Sequence, residues 1–390
     1  MNLLKQVINW YQDLSDKSRK FQRAFQTDFT FQGNPSQPTL LILPDELRAT
    51  YYLSFHFVLQ RLHHTEGIGF YTLSGRTLQQ AIKAYSYDFN NFATDLIEKL
   101  QPSIVIFSRY GLPYGEELLQ LFQEYKIPTI YYIDDDLINL PKSSEVNIRK
   151  QHNNSQVIHT RTALLNGVDL IYTSTPYLQQ RLANFFSKQN FYCSTYPPYL
   201  QHLIVETNRP AYQPFTIGYM ASKSHKVDLE IILPDLIQIL TDYPQVRFET
   251  FGTISLPNSL TDFSSRTTAH QVTGDYNQFL QKLHDLHWNI GLAPLQDTEF
   301  NRCKSPVKLI EYTSCSVPVI ASNINVYNQF SDGFETILAS SDGWYTSIKN
   351  LIEDDSLRAK LVKSAQSRCS KDFALDIMAK QFYSLLTRLT

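Results

Sequence analysis

The sequence predicts an α/β protein of two halves, each a parallel sheet with helices on both faces. Three observations predict it. Short, continuous apolar runs recur along the chain, helical stretches alternate with them, and the alternation stops at a proline-bearing segment and then restarts. A strand buried on both faces reads as an unbroken apolar run rather than an alternating one, and parallel neighbours need a crossover helix between them.

The elements follow in order. Residues 1–30 form a separate opening segment. Leu3, Leu4, Val7, Ile8, Tyr11 and Leu14 share one helical face, and Lys17, Arg19, Lys20 and Arg23 come next. That pattern fits a helix lying on an anionic membrane surface through residues 1–24, and more simply a helix docked on the body or on a second copy of the chain. In the first lobe, 31–207, strands are expected at 38–44, 68–73, 103–108, 129–134 and 169–174, with helices at 46–62 and 114–125. Pro197, Pro198, Pro210 and Pro214 break the rhythm over 194–214 and mark a linker. In the second lobe, 208–373, strands are expected at 215–220, 246–252, 288–295 and 317–322, with helices at 226–243 and 275–286. A last helix over 374–389 has no strand after it, and such a tail is expected to return to the first lobe (374–390).

Composition narrows the function. The net charge of −2 offers no basic field for nucleic acid. The four cysteines have no metal-ligand spacing and read as reduced thiols, and no apolar run is long enough to span a bilayer. Lys5, Gln6 and Asn9 interrupt the N-terminal apolar stretch, so no signal peptide is expected and the protein is placed in the cytoplasm. Glycine is scarce, and the G-x-G-x-x-G, G-x-S-x-G, H-E-x-x-H and P-loop patterns are all missing.

Open parallel sheets bind ligands at the carboxyl ends of their strands, so chemistry is sought in the loops there. After strand 215–220, Ser222, Lys223, Ser224, His225 and Lys226 lie where a strand turns into a helix, a setting that suits phosphate. After strand 288–295 comes "NRCKSPVKLIEY". Ser305 is the expected N-cap and Pro306 the expected first helical residue. Lys308 then occupies the first turn, where the helix dipole disfavours a cation unless an anion binds there, and Glu311 lies one turn on, placed to accept from ribose hydroxyls. An internal Lys308–Glu311 ion pair is the plain alternative. Asp134, Asp135 and Asp136 follow strand 129–134 as metal ligands, as an acceptor-side base, or as simple caps, and Arg109 is expected to pair with an acid.

Three stretches in this order, "IGYMASKSHKVD", "GDYNQFLQKLHDLHWNIGLAPLQDTEFNRCKSPVKLIEY" and "VPVIAS", resemble the C-terminal lobe of the group-1 glycosyltransferases, in particular a bacterial family-4-like branch of surface-polysaccharide assembly. The resemblance spans about residues 215–322; the first lobe is similar only in outline. It implies a GT-B fold, two Rossmann-like lobes with the nucleotide sugar between them. It implies donor binding by Gly218, Tyr219, Ser222, Lys223, Lys226, Tyr276, Asn301, Lys304, Ser305, Lys308 and Glu311, with Asp135, Lys223 and Glu311 as the catalytic set. It implies retention of anomeric configuration, no metal and no cofactor, and a glycan or lipid-linked acceptor. Two departures stand out: Cys303 occupies the position where the family pattern has a second glutamate that contacts the donor sugar, and Asp135 lies near the place of the usual acceptor-side histidine. An epimerase on the same fold, and an inactive GT-B subunit that binds a partner or glycan, are the rival readings.

Overall fold

The apolar runs form the strands of two separate sheets. The structure, a computed structural model, describes residues 27–140, 154–187, 189–193, 198–205, 213–330 and 335–389. The expected helix over 1–24 and much of the proline-bearing segment lie outside the described residues.

The first sheet holds β1 (Phe29–Phe31), β2 (Thr39–Pro44), β3 (Gly69–Thr72), β4 (Ile104–Ser108), β5 (Thr129–Ile133), β6 (Leu170–Thr173) and β7 (Phe191–Cys193), in the order β1-β3-β2-β4-β5-β6-β7. Only β1 pairs antiparallel, at the edge. The second holds β8 (Phe215–Ala221), β9 (Val246–Gly252), β10 (Thr267–His270), β11 (Ile290–Ala293), β12 (Val319–Ser322) and β13 (Ile337–Ala339), ordered β10-β9-β8-β11-β12-β13 and parallel throughout. The strand order reverses between β2 and β4 in the first sheet and between β8 and β11 in the second. A crevice opens at the carboxyl ends of strands at such a point.

Each sheet is buried on both faces, which is why its strands lack alternation. In the first, Leu41, Val105, Phe107 and Tyr131 face one core while Leu40, Ile42, Ile104 and Ile130 face the other. In the second, Ile217, Tyr219, Phe248 and Ile290 face one core while Met220, Phe251, Ala293 and Val319 face the other. The tail helix Leu375–Leu386 lays Met378, Phe382, Leu385 and Leu386 against Phe55, Val58, Leu59 and Leu62, so the last helix completes the core of the first sheet. The expected helix at 46–62 starts later, at Ala49, passes through a π-helical turn at Tyr52–His56, and ends at Glu66. Gly67 closes it in a left-handed conformation (φ 74°), the usual helix stop. No helix among the described residues is long and apolar enough to cross a membrane.

Candidate functional site

The reversal between β8 and β11 places two turns side by side, and a buried aspartate stitches them together. Past the end of β8, His225 Nδ1 lies 2.7 Å from Asp228 Oδ2. Past the end of β11, the Gln296 N–H donates to Asp228 Oδ1 at 2.9 Å. The loop after Gln296 is held from within: Asn301 Nδ2 donates to the Gln296 carbonyl at 2.9 Å, and Thr298 caps the short helix Glu299–Arg302 by accepting from the Asn301 N–H at 3.2 Å.

That loop delivers Lys304 and Lys308 to a cavity between the lobes. The cavity, of about 160 Å³, is lined by Asp134, Asp135, His225, Leu295, Lys304, Ser305, Val307, Lys308 and Tyr327. Lys304 Nζ reaches across to Asp135 Oδ1 at 3.2 Å and rests over the Phe300 ring. Lys308 Nζ sits 5.0 Å from the centre of the Tyr219 ring, and among the described residues no ion pair is formed by it. Burial pushes its ammonium down to about 8, against the pull of Asp228 and Glu311. A second, smaller cavity of about 90 Å³ shares Asp134, Ser305 and Val307 with the first and continues past Thr50, Ser54 and Tyr132 into the first lobe. One lobe thus offers cations and a helix start, the other a largely apolar groove dotted with the hydroxyls of Thr50, Ser54 and Tyr132, across a common wall.

The helix Val307–Ser314 starts one residue later than expected. Pro306 is the N-cap, with ψ 42°, and Ser305 makes no capping bond. A proline cannot offer a side-chain acceptor, so the first-turn N–H groups have no side-chain cap and Ser305 is left to line both cavities. Glu311 is 7 % exposed and accepts from the Tyr276 hydroxyl at 2.7 Å, so the Lys308–Glu311 ion pair does not form. Burial pushes the Glu311 carboxyl up to about 7, although Tyr276 and Lys308 both favour its charged form.

The three consecutive aspartates take separate partners. Asp134 accepts from the Thr50 hydroxyl at 2.8 Å and lies 3.4 Å from Arg109, Asp135 pairs with Lys304, and fully buried Asp136 pairs with Arg181. Arg109 takes the expected acid partner. Burial raises the Asp134 carboxyl despite Arg109, whereas at Asp135 the opposing pull of Lys304 and Arg109 outweighs burial and holds the carboxyl below its ordinary value. Among the described residues no group of three or more His, Cys, Asp or Glu side chains has the geometry to hold a metal ion.

The structure brings Asp135, Lys304, Ser305 and Lys308 to one cavity, while Glu311 and Tyr276, bonded to each other, do not line it. Other expected binding residues lie elsewhere. Ser222 and Lys223 are exposed, and Ser222 shares a hydrogen bond with Ser224. Lys226 is exposed and pairs with Glu230 one turn along its own helix. Tyr219 is buried with its hydroxyl on the His225 carbonyl, and Gly218 packs against Trp288, whose ring lies 1.8 Å from where a Cβ would be. Cys303 turns away from the cavity into the core of the first sheet, where burial pushes its thiol up to about 12 and its carbonyl accepts from the Thr175 hydroxyl at 2.8 Å. The sequence placed His225 in the phosphate-suited loop but not in the binding set, and Asp228 and Tyr327 were missed as parts of the site; the one available signal was the His–Asp spacing of three at a helix start.

No family model and no curated protein matches the chain. Solved structures do. Anabaena HepE, in complex with UDP and glucose, matches with a TM-score of 0.60 at 13% identity over 90% of this chain and 100% of that one. The α,α-trehalose 6-phosphate synthase of Burkholderia multivorans matches at 0.57 and 9% identity, over 91% and 99% of the two chains. A putative UDP-N-acetylglucosamine 2-epimerase of Listeria monocytogenes matches at 0.54 and 9% identity, over 90% and 96%. The chain has the GT-B fold.

Proposed function

We propose that the protein is a glycosyltransferase that moves a sugar from a nucleotide-sugar donor to a glycan or lipid-linked acceptor in bacterial surface-polysaccharide assembly. One observation carries the reading: Lys304, Lys308 and an uncapped helix start converge on one interlobe cavity, at the strand-order reversal of the second sheet. Cations and free N–H groups there bind a diphosphate and take up the charge that develops on it as the sugar leaves. Lys308 fits best, because without an anion a half-buried ammonium in a helix's first turn has little to offset its burial. Glu311, freed from or sharing Tyr276, serves the ribose. The smaller cavity shared at Asp134 admits the acceptor, with Asp135 beside it as the group that receives the acceptor's proton once Lys304 turns to the diphosphate. The reading includes retention, metal independence and work at the cytoplasmic face of a membrane. HepE binds UDP and UDP-glucose on the same fold, which supports a uridine donor.

The test is a thermal-shift screen of nucleotide sugars followed by calorimetry, since a ligand bound only by the folded state raises the melting point. Lys308→Ala is expected to weaken the best donor at least about tenfold, as the loss of one charge-assisted contact to phosphate implies. Unchanged affinity in Lys308→Ala, Lys304→Ala and Glu311→Ala together would remove the site assignment. The Listeria neighbour keeps an epimerase in view; incubating donor alone and finding an isomer by NMR would favour it.

A further inference from the structure

Half-buried His225 and buried Asp228 form a pair at the cavity wall that the reading above leaves without a task. Both Asp228 oxygens are engaged, one by His225 and one by the Gln296 N–H, so the carboxylate is fixed and it fixes the ring. With Nδ1–H donating to Asp228, Nε2 is the free ring nitrogen, and no described residue bonds it. The charged and titratable groups around the ring are Asp228 on its own helix, Lys304 and Lys308 from the loop and helix after β11, Asp134 and Asp135 from the end of β5, and the Tyr327 phenol. Burial and then Lys308 disfavour the imidazolium, and although Asp228 favours it, the ring stays below its ordinary value. An anion between the two lysines reverses this balance, because it cancels their charge and adds its own.

We propose that His225 is a proton-loaded ligand for a diphosphate: the anion enters the cavity together with one proton, which settles on Nε2 and gives the phosphate a third cationic partner beside Lys304 and Lys308. Asp228 is the positioning residue. The inference rests on the nucleotide-sugar reading of this cavity. Binding linked to proton uptake weakens as pH rises, by up to about tenfold per pH unit between the free and bound values of the ring. Lys308, already charged below about 8, adds little to the uptake under mildly acidic conditions.

The experiment is calorimetric titration of the whole chain with inorganic pyrophosphate and with UDP, in buffers of different ionisation enthalpy, at about pH 6.5, below the Lys308 transition. The wild type is expected to take up close to one proton more than His225→Gln, and its affinity advantage is expected to shrink as pH rises. Asp228→Asn, which keeps the ring but removes its counter-charge, is expected to move the uptake to lower pH. Equal uptake in wild type and His225→Gln would overturn the inference while leaving the proposed function standing. Failure of both probes to bind the wild type would overturn the function reading and this inference with it. A measurement without variants checks the same point: on adding pyrophosphate, the Cε1–H resonance of one histidine should move toward its imidazolium position, and a spectrum in which none moves would overturn the proposal.

Discussion

Glu311 shows what a single residue's surroundings add to its type. Its place one turn after Lys308 was readable in the sequence, as was, through the family resemblance alone, a donor-binding role for Tyr276. Their hydrogen bond was not, because they come from different helices, Tyr276–Asp285 and Val307–Ser314. The bond and the burial make a measurable prediction. A carboxyl whose folded value lies above its unfolded one adds stability that is complete below the unfolded value and is lost as pH rises through the folded one. For Glu311 that window runs from its ordinary 4.5 to about 7. Glu311→Gln keeps an acceptor for Tyr276 but cannot ionise. Urea unfolding should therefore find variant and wild type alike near pH ~4, and the variant more stable at pH ~8 by on the order of 3 kcal/mol. Parallel curves at both pH values would mean that the carboxylate is not buried as described.

Strands and helices were legible because periodicity and turn residues act locally. Every strand expected from a continuous apolar run is present, shifted by a residue or two at its ends. The strands that went unread, β1, β7, β10 and β13, are three or four residues each and only partly buried, so their composition carries little pattern. The role of Gly218 was also set at this scale. In β8 it lies beside Gly291 of β11, and the Trp288 indole fills the space its missing side chain leaves. That ring is held by the Nε1–H bond to Glu249 Oε2 at 2.9 Å and has no room to retreat. Gly218→Ala is expected to cost about 3 kcal/mol through overpacking, read as a lower urea midpoint. A near-neutral result would return Gly218 to the ligand-binding set.

The joining of the two lobes is a property of the whole molecule. Arg181 in the first lobe pairs with buried Asp136 and reaches Glu299 of the second at 2.6 Å, Lys304 of the second reaches Asp135 of the first, and Thr175 holds the Cys303 carbonyl. Ion pairs near this seam differ in worth, whether they cross it or lie within one lobe. Arg181→Ala leaves Asp136 buried without its cation and is expected to destabilise the protein by about 3 kcal/mol or more. Arg302→Ala breaks a bidentate pair with Asp297 in which both partners are exposed, at an expected cost under about 1 kcal/mol. Denaturant titration of the two variants side by side checks the ranking; equal losses would contradict it.

By itself the sequence determined the fold class, the two sheets and the loop that carries Lys304, Lys308 and Glu311, since each rests on signals within about twenty residues of chain. Tertiary structure decided which of the nominated residues share a cavity. It turned His225 inward and left Lys223 and Lys226 in solvent, sent Cys303 into the first lobe's core, and gave each of three adjacent aspartates a different cation. The physical reason is the same in each case. The direction of a side chain at a turn, and the charge it meets, are fixed by elements far away in the chain, and local pattern carries no record of them.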